Sequence, residues 1–87
     1  MYSFEFNEQK SQKNLQKHGI DFIEAQKLWL DSEFVEIEAK SDTEPRKLFI
    51  GLINDKYWSA VITYRNENIR IISVRRSRKL EVELYES

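Results

Sequence analysis

Six of the fifteen residues at positions 65–79 are cations: Arg65, Arg70, Arg75, Arg76, Arg78 and Lys79, with Glu67 the one acid among them. Arginine in this density suits phosphate, because its planar fork can donate to two oxygens at once and stays charged at any working pH. The stretch opens as an apolar, β-branched segment, Ile69-Arg70-Ile71-Ile72, and ends as a run of charge. The rest of the chain is acidic: residues 1–64 carry a net −3 and residues 80–87 another −3, against +5 for the island, so the total of −1 conceals it. An island of this kind binds an anion locally, without the long-range steering of a protein that is basic throughout. Histidine is the side-chain type that titrates near neutrality, which makes His18, the only one present, a candidate acid or base.

Other chemistries find little support. With no cysteine there is no disulfide or thiolate metal site, and a reducing, intracellular setting is the plainer expectation. One histidine and scattered acids give none of the usual metal-ligand spacings, so neither metal nor cofactor is expected. The two glycines, Gly19 and Gly51, cannot build a glycine-rich phosphate loop. No apolar run approaches a membrane span, and MYSFEFNEQK lacks the order of a signal peptide, so a cytoplasmic protein with no membrane association is expected.

The elements that must position the cations can be read from pattern and punctuation. Eighty-seven residues make one domain, residues 1–87. Residues 2–6 alternate aromatic and polar side chains, as a half-buried strand does. Asn7 can cap a helix that runs to about Lys17 and stops at Gly19. A second helix follows, with Asp21 and Glu24 at its start and Phe22, Ala25, Leu28 and Trp29 as its apolar stripe. Residues 34–39 form a strand with Val35, Ile37 and Ala39 on one side and Glu36 and Glu38 on the other. Residues 40–45 are a loop. Arg46–Ile53 is a central strand, where Gly51 marks a bulge or a close backbone approach. Tight turns at Asn54-Asp55 and around Asn66 lead into strands at 57–65 and 69–76. A last helix spans 77–85, capped by Ser77. The order β-α-α-β-β-β-β-α implies an α+β fold with a mostly antiparallel sheet packed against helices.

Two blocks carry a family resemblance. Phe4-x-Phe6-Asn7-x-x-Lys10-x-x-x-Asn14-Leu15-x-Lys17-His18-Gly19-Ile20-x-Phe22-x-Glu24-Ala25 resembles the N-terminal signature of BrnT-type toxins, and Thr63-x-Arg65-x-x-x-Ile69-Arg70-Ile71-Ile72-Ser73-x-Arg75 resembles their C-terminal one. The resemblance implies a type II toxin of RelE-like ribonuclease fold that cleaves RNA and arrests translation. It also implies a ribbon-helix-helix antitoxin that masks the toxin and contacts operator DNA on its behalf.

A metal-free ribonuclease must remove the 2′-hydroxyl proton, stabilise a phosphorane-like transition state and supply a proton to the leaving oxygen. Arg65, Arg70 and Arg75 are the candidates for the electrostatic part, with the solvated strand-end arginine as the alternative. His18 is the candidate for proton transfer, although Lys-His-Gly is also a sufficient helix stop. Lys10, Lys17, Arg76, Arg78 and Tyr85 are the candidates for holding RNA; Tyr85 could equally pack the last helix onto the sheet. Which arginines share a face depends on the hairpin. A two-residue loop groups Arg65 with Arg70 and Arg76, a three-residue loop groups Arg65 with Ser73 and Arg75, and a bulge could mix the two sets. A non-catalytic binding module and a degenerate toxin that retains only antitoxin binding are the competing functions.

Overall fold

Asn7 behaves as its position demands. Its side-chain oxygen accepts the Lys10 N–H at 3.0 Å, ending strand β1 (Phe4–Glu5) and starting helix α1 (Glu8–His18). Gly19 takes φ 78° and its N–H donates to the Leu15 carbonyl at 2.9 Å, which terminates α1. The computed structural model describes residues 2–87. Beyond α1 come a 3-10 helix (Glu24–Leu30), strands β2 (Val35–Ala39), β3 (Arg46–Ile53), β4 (Lys56–Arg65) and β5 (Asn68–Arg76), and helix α2 (Lys79–Glu86). None of the helices of the described residues is long and apolar enough to cross a membrane.

The five strands form one sheet in the order β1-β5-β4-β3-β2. The α+β class is as expected, but the sheet is mixed: β1 runs parallel to β5, with Phe4 opposite Ile69 and Glu5 opposite Arg70. The strand expected over residues 2–6 is only two residues long. The element expected as a second α-helix is a 3-10 helix. Its buried residues are Ala25, Leu28 and Trp29, and Phe22, just before it, is buried on the same side. Three residues per turn is the 3-10 period, and it places Ala25 and Leu28 one above the other, in the core against the sheet. Gly51 is the close approach rather than the bulge: a β-carbon there would lie 3.1 Å from a Leu28 methyl and 3.3 Å from an Asp31 carboxylate oxygen. Ser77 is not the cap of α2. The cap position is Arg78, and the Ser77 hydroxyl pairs with the Ser59 hydroxyl at 2.7 Å.

One face of the sheet carries the apolar core. Ile20, Phe22, Ala25, Leu28 and Trp29 pack on Phe49, Ile53, Ala60, Ile62, Ile69, Ile71 and Val74. Trp29 stacks on Phe49 with centroids 4.1 Å apart, and Phe4 meets the Trp29 edge at 4.9 Å. Two polar side chains finish the sheet where strands run out. Beyond the end of β1, the Asn14 amide faces the open edge of β5, donating to the Val74 carbonyl at 2.8 Å and accepting the Val74 N–H at 3.1 Å. It also donates to the Ile20 carbonyl at 2.8 Å, so three buried backbone groups depend on it. Beyond β2, Asp31 accepts the Leu52 N–H of β3 at 2.9 Å.

Candidate active site

The β3–β4 and β4–β5 hairpins close with two-residue loops. Asn54 and Asp55 take φ 50° and 66°, and Asn66 and Glu67 take 51° and 70°, the paired left-handed conformation that matches strand twist. Arg65 therefore stands opposite Asn68. Thr63 pairs with Arg70 and Ile62 with Ile71, but Val61 pairs with Ser73, which leaves Ile72 as an extra residue in β5. Past this bulge Ser59 faces Arg75 and Trp58 faces Arg76.

The bulge decides the composition of the face. Strand alternation puts Arg65, Thr63, Val61 and Ser59 of β4 on the side away from the core, together with Arg70, Ser73 and Arg75 of β5. A regular ladder would have brought Arg76 there and sent Arg75 toward the core. Neither regular register considered from sequence has this outcome; it is the mixed set. Arg76 lies on the other face, its guanidinium 5.4 Å from the Trp58 ring centroid and its Nε donating to the Tyr57 carbonyl at 3.2 Å.

Within the arginine face there are two groups. At the hairpin end, Arg65 and Arg70 both point at Glu5: their Nη1 atoms are 3.8 and 3.4 Å from its Oε1. Asn68 donates to the other oxygen of Glu5 at 3.3 Å, and Arg65 also lies 3.8 Å from Glu44. At the far end Arg75 makes a bidentate pair with Glu81 of α2, at 2.8 and 2.7 Å. Glu81 accepts in addition from the Ser59 hydroxyl at 2.8 Å and the Arg78 N–H at 2.9 Å. Arg75 thus ties α2 to the sheet, whereas Arg65 and Arg70 make longer contacts, with Arg65 half-exposed and Arg70 27% exposed.

The Glu81 network has a measurable signature. The hydrogen bonds from Arg75 come first in holding the Glu81 carboxyl down to about 2, against an ordinary value of 4.5; burial opposes them. The folded state binds this proton less tightly than the unfolded state. Its contribution is therefore present above pH 4.5 and is lost as pH falls toward about 2. Glu81→Gln is expected to melt below wild type at neutral pH, and the gap should close over that acidic window in thermal melts. A gap that does not depend on pH would contradict the assignment.

The remaining candidates are dispersed. His18 ends α1 at the sheet edge, in the turn that carries the chain into the apolar layer, while the three arginines project from the opposite face. Lys10 and Lys17 are exposed on α1, and Arg78 is exposed at the start of α2. Tyr85 packs edge-on to Tyr57 at 5.3 Å, and its hydroxyl donates to Asp31 at 2.7 Å. Burial and that carboxylate push the hydroxyl up to about 12. Burial pushes Asp31 up, but its hydrogen bonds from Glu33, Tyr85 and Leu52 outweigh this and leave it below its ordinary value. Glu36 and Glu38 meet Tyr64 and Lys47. A cleft of about 200 Å³ lined by Ile20, Glu24, Lys56 and Trp58 contains none of Arg65, Arg70 and Arg75.

The partners of the arginines, Glu5, Glu44 and Glu81, are not among the site residues expected from sequence. The one available signal was at Glu5, where Phe4-Glu5-Phe6 alternation puts the acid on the side opposite two aromatic anchors. Nothing local pairs a residue at position 5 with one at position 70.

Among curated proteins, none matches this chain closely enough to count as a relative. The family model of the ribonuclease toxin BrnT, of type II toxin–antitoxin systems, matches residues 6–81, which include α1, the arginine-bearing hairpin and the first turn of α2. With so much of its 87 residues matched, the chain belongs to the BrnT family of ribonuclease toxins.

Proposed function

We propose that this protein is a metal-independent endoribonuclease that cleaves RNA by attack of the 2′-hydroxyl and so arrests translation, with Arg65 and Arg70 as its electrostatic centre. The observation that carries this reading is the convergence of those two guanidinium groups, from neighbouring strands, on the open face of the sheet. Cations aimed at one point can hold a phosphodiester and stabilise the extra negative charge of a pentavalent phosphorus. Among the described residues, no three His, Asp or Glu side chains cluster as metal ligands, so the reading places the positive charge on arginine.

Arg75 lies further along the same face. Its charge lies on the path of a strand bound across Ser73 and Val61, and its pairing with Glu81 gives it a second role in seating α2. Lys10, Lys17, Arg76 and Arg78 are exposed cations to which this reading assigns flanking phosphates. His18 is better placed as a helix stop than as a proton carrier. A sheet of this order with flanking helices suits a RelE-like ribonuclease acting in the cytoplasm. Membership of a type II system implies RNA as substrate and an antitoxin as partner. We assign the antitoxin to the ribbon-helix-helix class, with operator DNA contacted through it. Leu80 and Leu84, 74% and 44% exposed on α2, are apolar surface that a bound antitoxin would bury.

The test is direct. Purified protein, free of antitoxin and in the presence of a chelator, should cut RNA and leave 2′,3′-cyclic phosphate ends. Intact RNA at high protein concentration, with salt-sensitive binding retained, would support a binding module instead.

A further inference from the structure

We propose that Glu5 is the general base of the cleavage reaction, accepting the 2′-hydroxyl proton at a site whose cations are Arg65 and Arg70. The proposal rests on the ribonuclease reading above and adds a residue that the family match does not assign, since the matched segment begins at residue 6.

Three observations support it. First, Glu5 is placed by its neighbours. Phe4 is pinned to Trp29 and Phe6 to Phe22, with centroids 5.7 Å apart for the latter pair, so alternation leaves the Glu5 side chain on the arginine face. Second, it is the carboxylate at the point where both arginines converge; Glu44 reaches Arg65 from the 40–45 loop and is shared with Arg46 at 3.7 Å. Third, it is held loosely. Glu81 is buried and saturated by contacts of 2.7–2.9 Å. The nitrogens around Glu5 stand at 3.3–3.8 Å and its side chain is 30% exposed, so its oxygens remain open to an incoming hydroxyl.

The step balances without a co-reactant other than water. Glu5 takes the 2′-hydroxyl proton as the 2′-oxygen bonds to phosphorus. Arg65 and Arg70 hold the non-bridging oxygens. The P–O5′ bond breaks with its electron pair going to the 5′-oxygen, which takes a proton from water, and Glu5 returns its own proton to solvent.

The experiment compares wild type, Glu5→Gln and Glu5→Asp in single-turnover cleavage of a short single-stranded RNA. Affinity is measured separately on the same strand carrying a 2′-deoxy nucleotide at the cleaved position. Glu5→Gln should cleave at least 100-fold more slowly while its Kd stays within threefold, because the amide keeps the shape but cannot take the proton. Glu5→Asp should fall between the two. A Glu5→Gln rate within threefold of wild type, a raised rate, or a loss matched by lost affinity would overturn the proposal, the last two marking Glu5 as an internal stand-in for phosphate or as a binding residue. Should Glu5→Gln not fold, Glu5→Asp decides, since a carboxylate withdrawn by one methylene should cost tenfold or more and an unchanged rate overturns the assignment. A wild type that cuts no RNA would reject the ribonuclease reading itself, which a failure confined to the Glu5 variants would not.

Discussion

Arg70→Ala is expected to slow RNA cleavage by about two to three orders of magnitude, the usual cost of deleting one preorganised charge from a transition state. Arg70 is the better placed of the converging pair: its side chain is 27% exposed against 50% for Arg65, and it approaches Glu5 more closely. Arg65→Ala should therefore cost less than Arg70→Ala. Arg70→Lys should recover only part of the rate, because an ammonium keeps the charge but not the fork that spans two phosphate oxygens. Stability should hardly move. The ion pair being removed is long and partly solvated, and such pairs contribute about 0–1 kcal/mol. Single-turnover cleavage beside thermal melts separates the two effects. An Arg70→Ala protein that cleaves within threefold of wild type would remove the arginines from the mechanism, and one that loses activity only in step with its melting temperature would make Arg70 structural.

The largest effect on stability is expected at Asn14. Replacing it with alanine removes hydrogen bonds to the Val74 N–H, the Val74 carbonyl and the Ile20 carbonyl, in a place where Asn14 itself is only 7% exposed. A buried group left unpaired costs about 1–3 kcal/mol; allowing for water entering the space, about 3 kcal/mol is expected for the three together. For a domain of this size that corresponds to a fall in melting temperature of more than about 10 °C. Asn14→Asp should be worse, since it turns a carboxylate toward two carbonyl oxygens. A drop of less than about 2 °C in the alanine variant would show that α1 is held by its other contacts.

Asn14 also shows where sequence reasoning reaches its limit. At i+4 from Lys10 it looks like part of a solvated helical stripe, and nothing nearby says that it answers a strand sixty residues away. Local grammar was informative wherever the cause is local. The Asn7 cap, the Gly19 stop, the apolar β3 and the α+β class all follow from neighbouring residues. The 3-10 helix does not follow from them, because Ala25, Leu28 and Trp29 have the three-and-four spacing that an α-helix also has. What was hidden is non-local. The parallel docking of β1 on β5 brings Glu5 to Arg70, and the return of α2 brings Glu81 to Arg75. For the same reason none of the three carboxylates is among the expected site residues. The bulge was anticipated only as a possibility, since Ile71-Ile72 is an unbroken apolar pair on which a ladder can slip by one without changing hydrophobicity.

The odd residue in β5 has a consequence for how this fold tolerates change. Substituting Arg65 or Arg70 alters the surface by one charge and leaves the scaffold alone. Deleting one residue between Ile71 and Val74 would remove the bulge and leave Val74 opposite Ala60 and Arg75 opposite Ser59, on the faces they now occupy; pairing Ile72 into a regular ladder would instead send Arg75 toward the apolar layer and Val74 away from it. At this point β5 can shorten by one residue without exchanging its faces, because what it loses is the bulge.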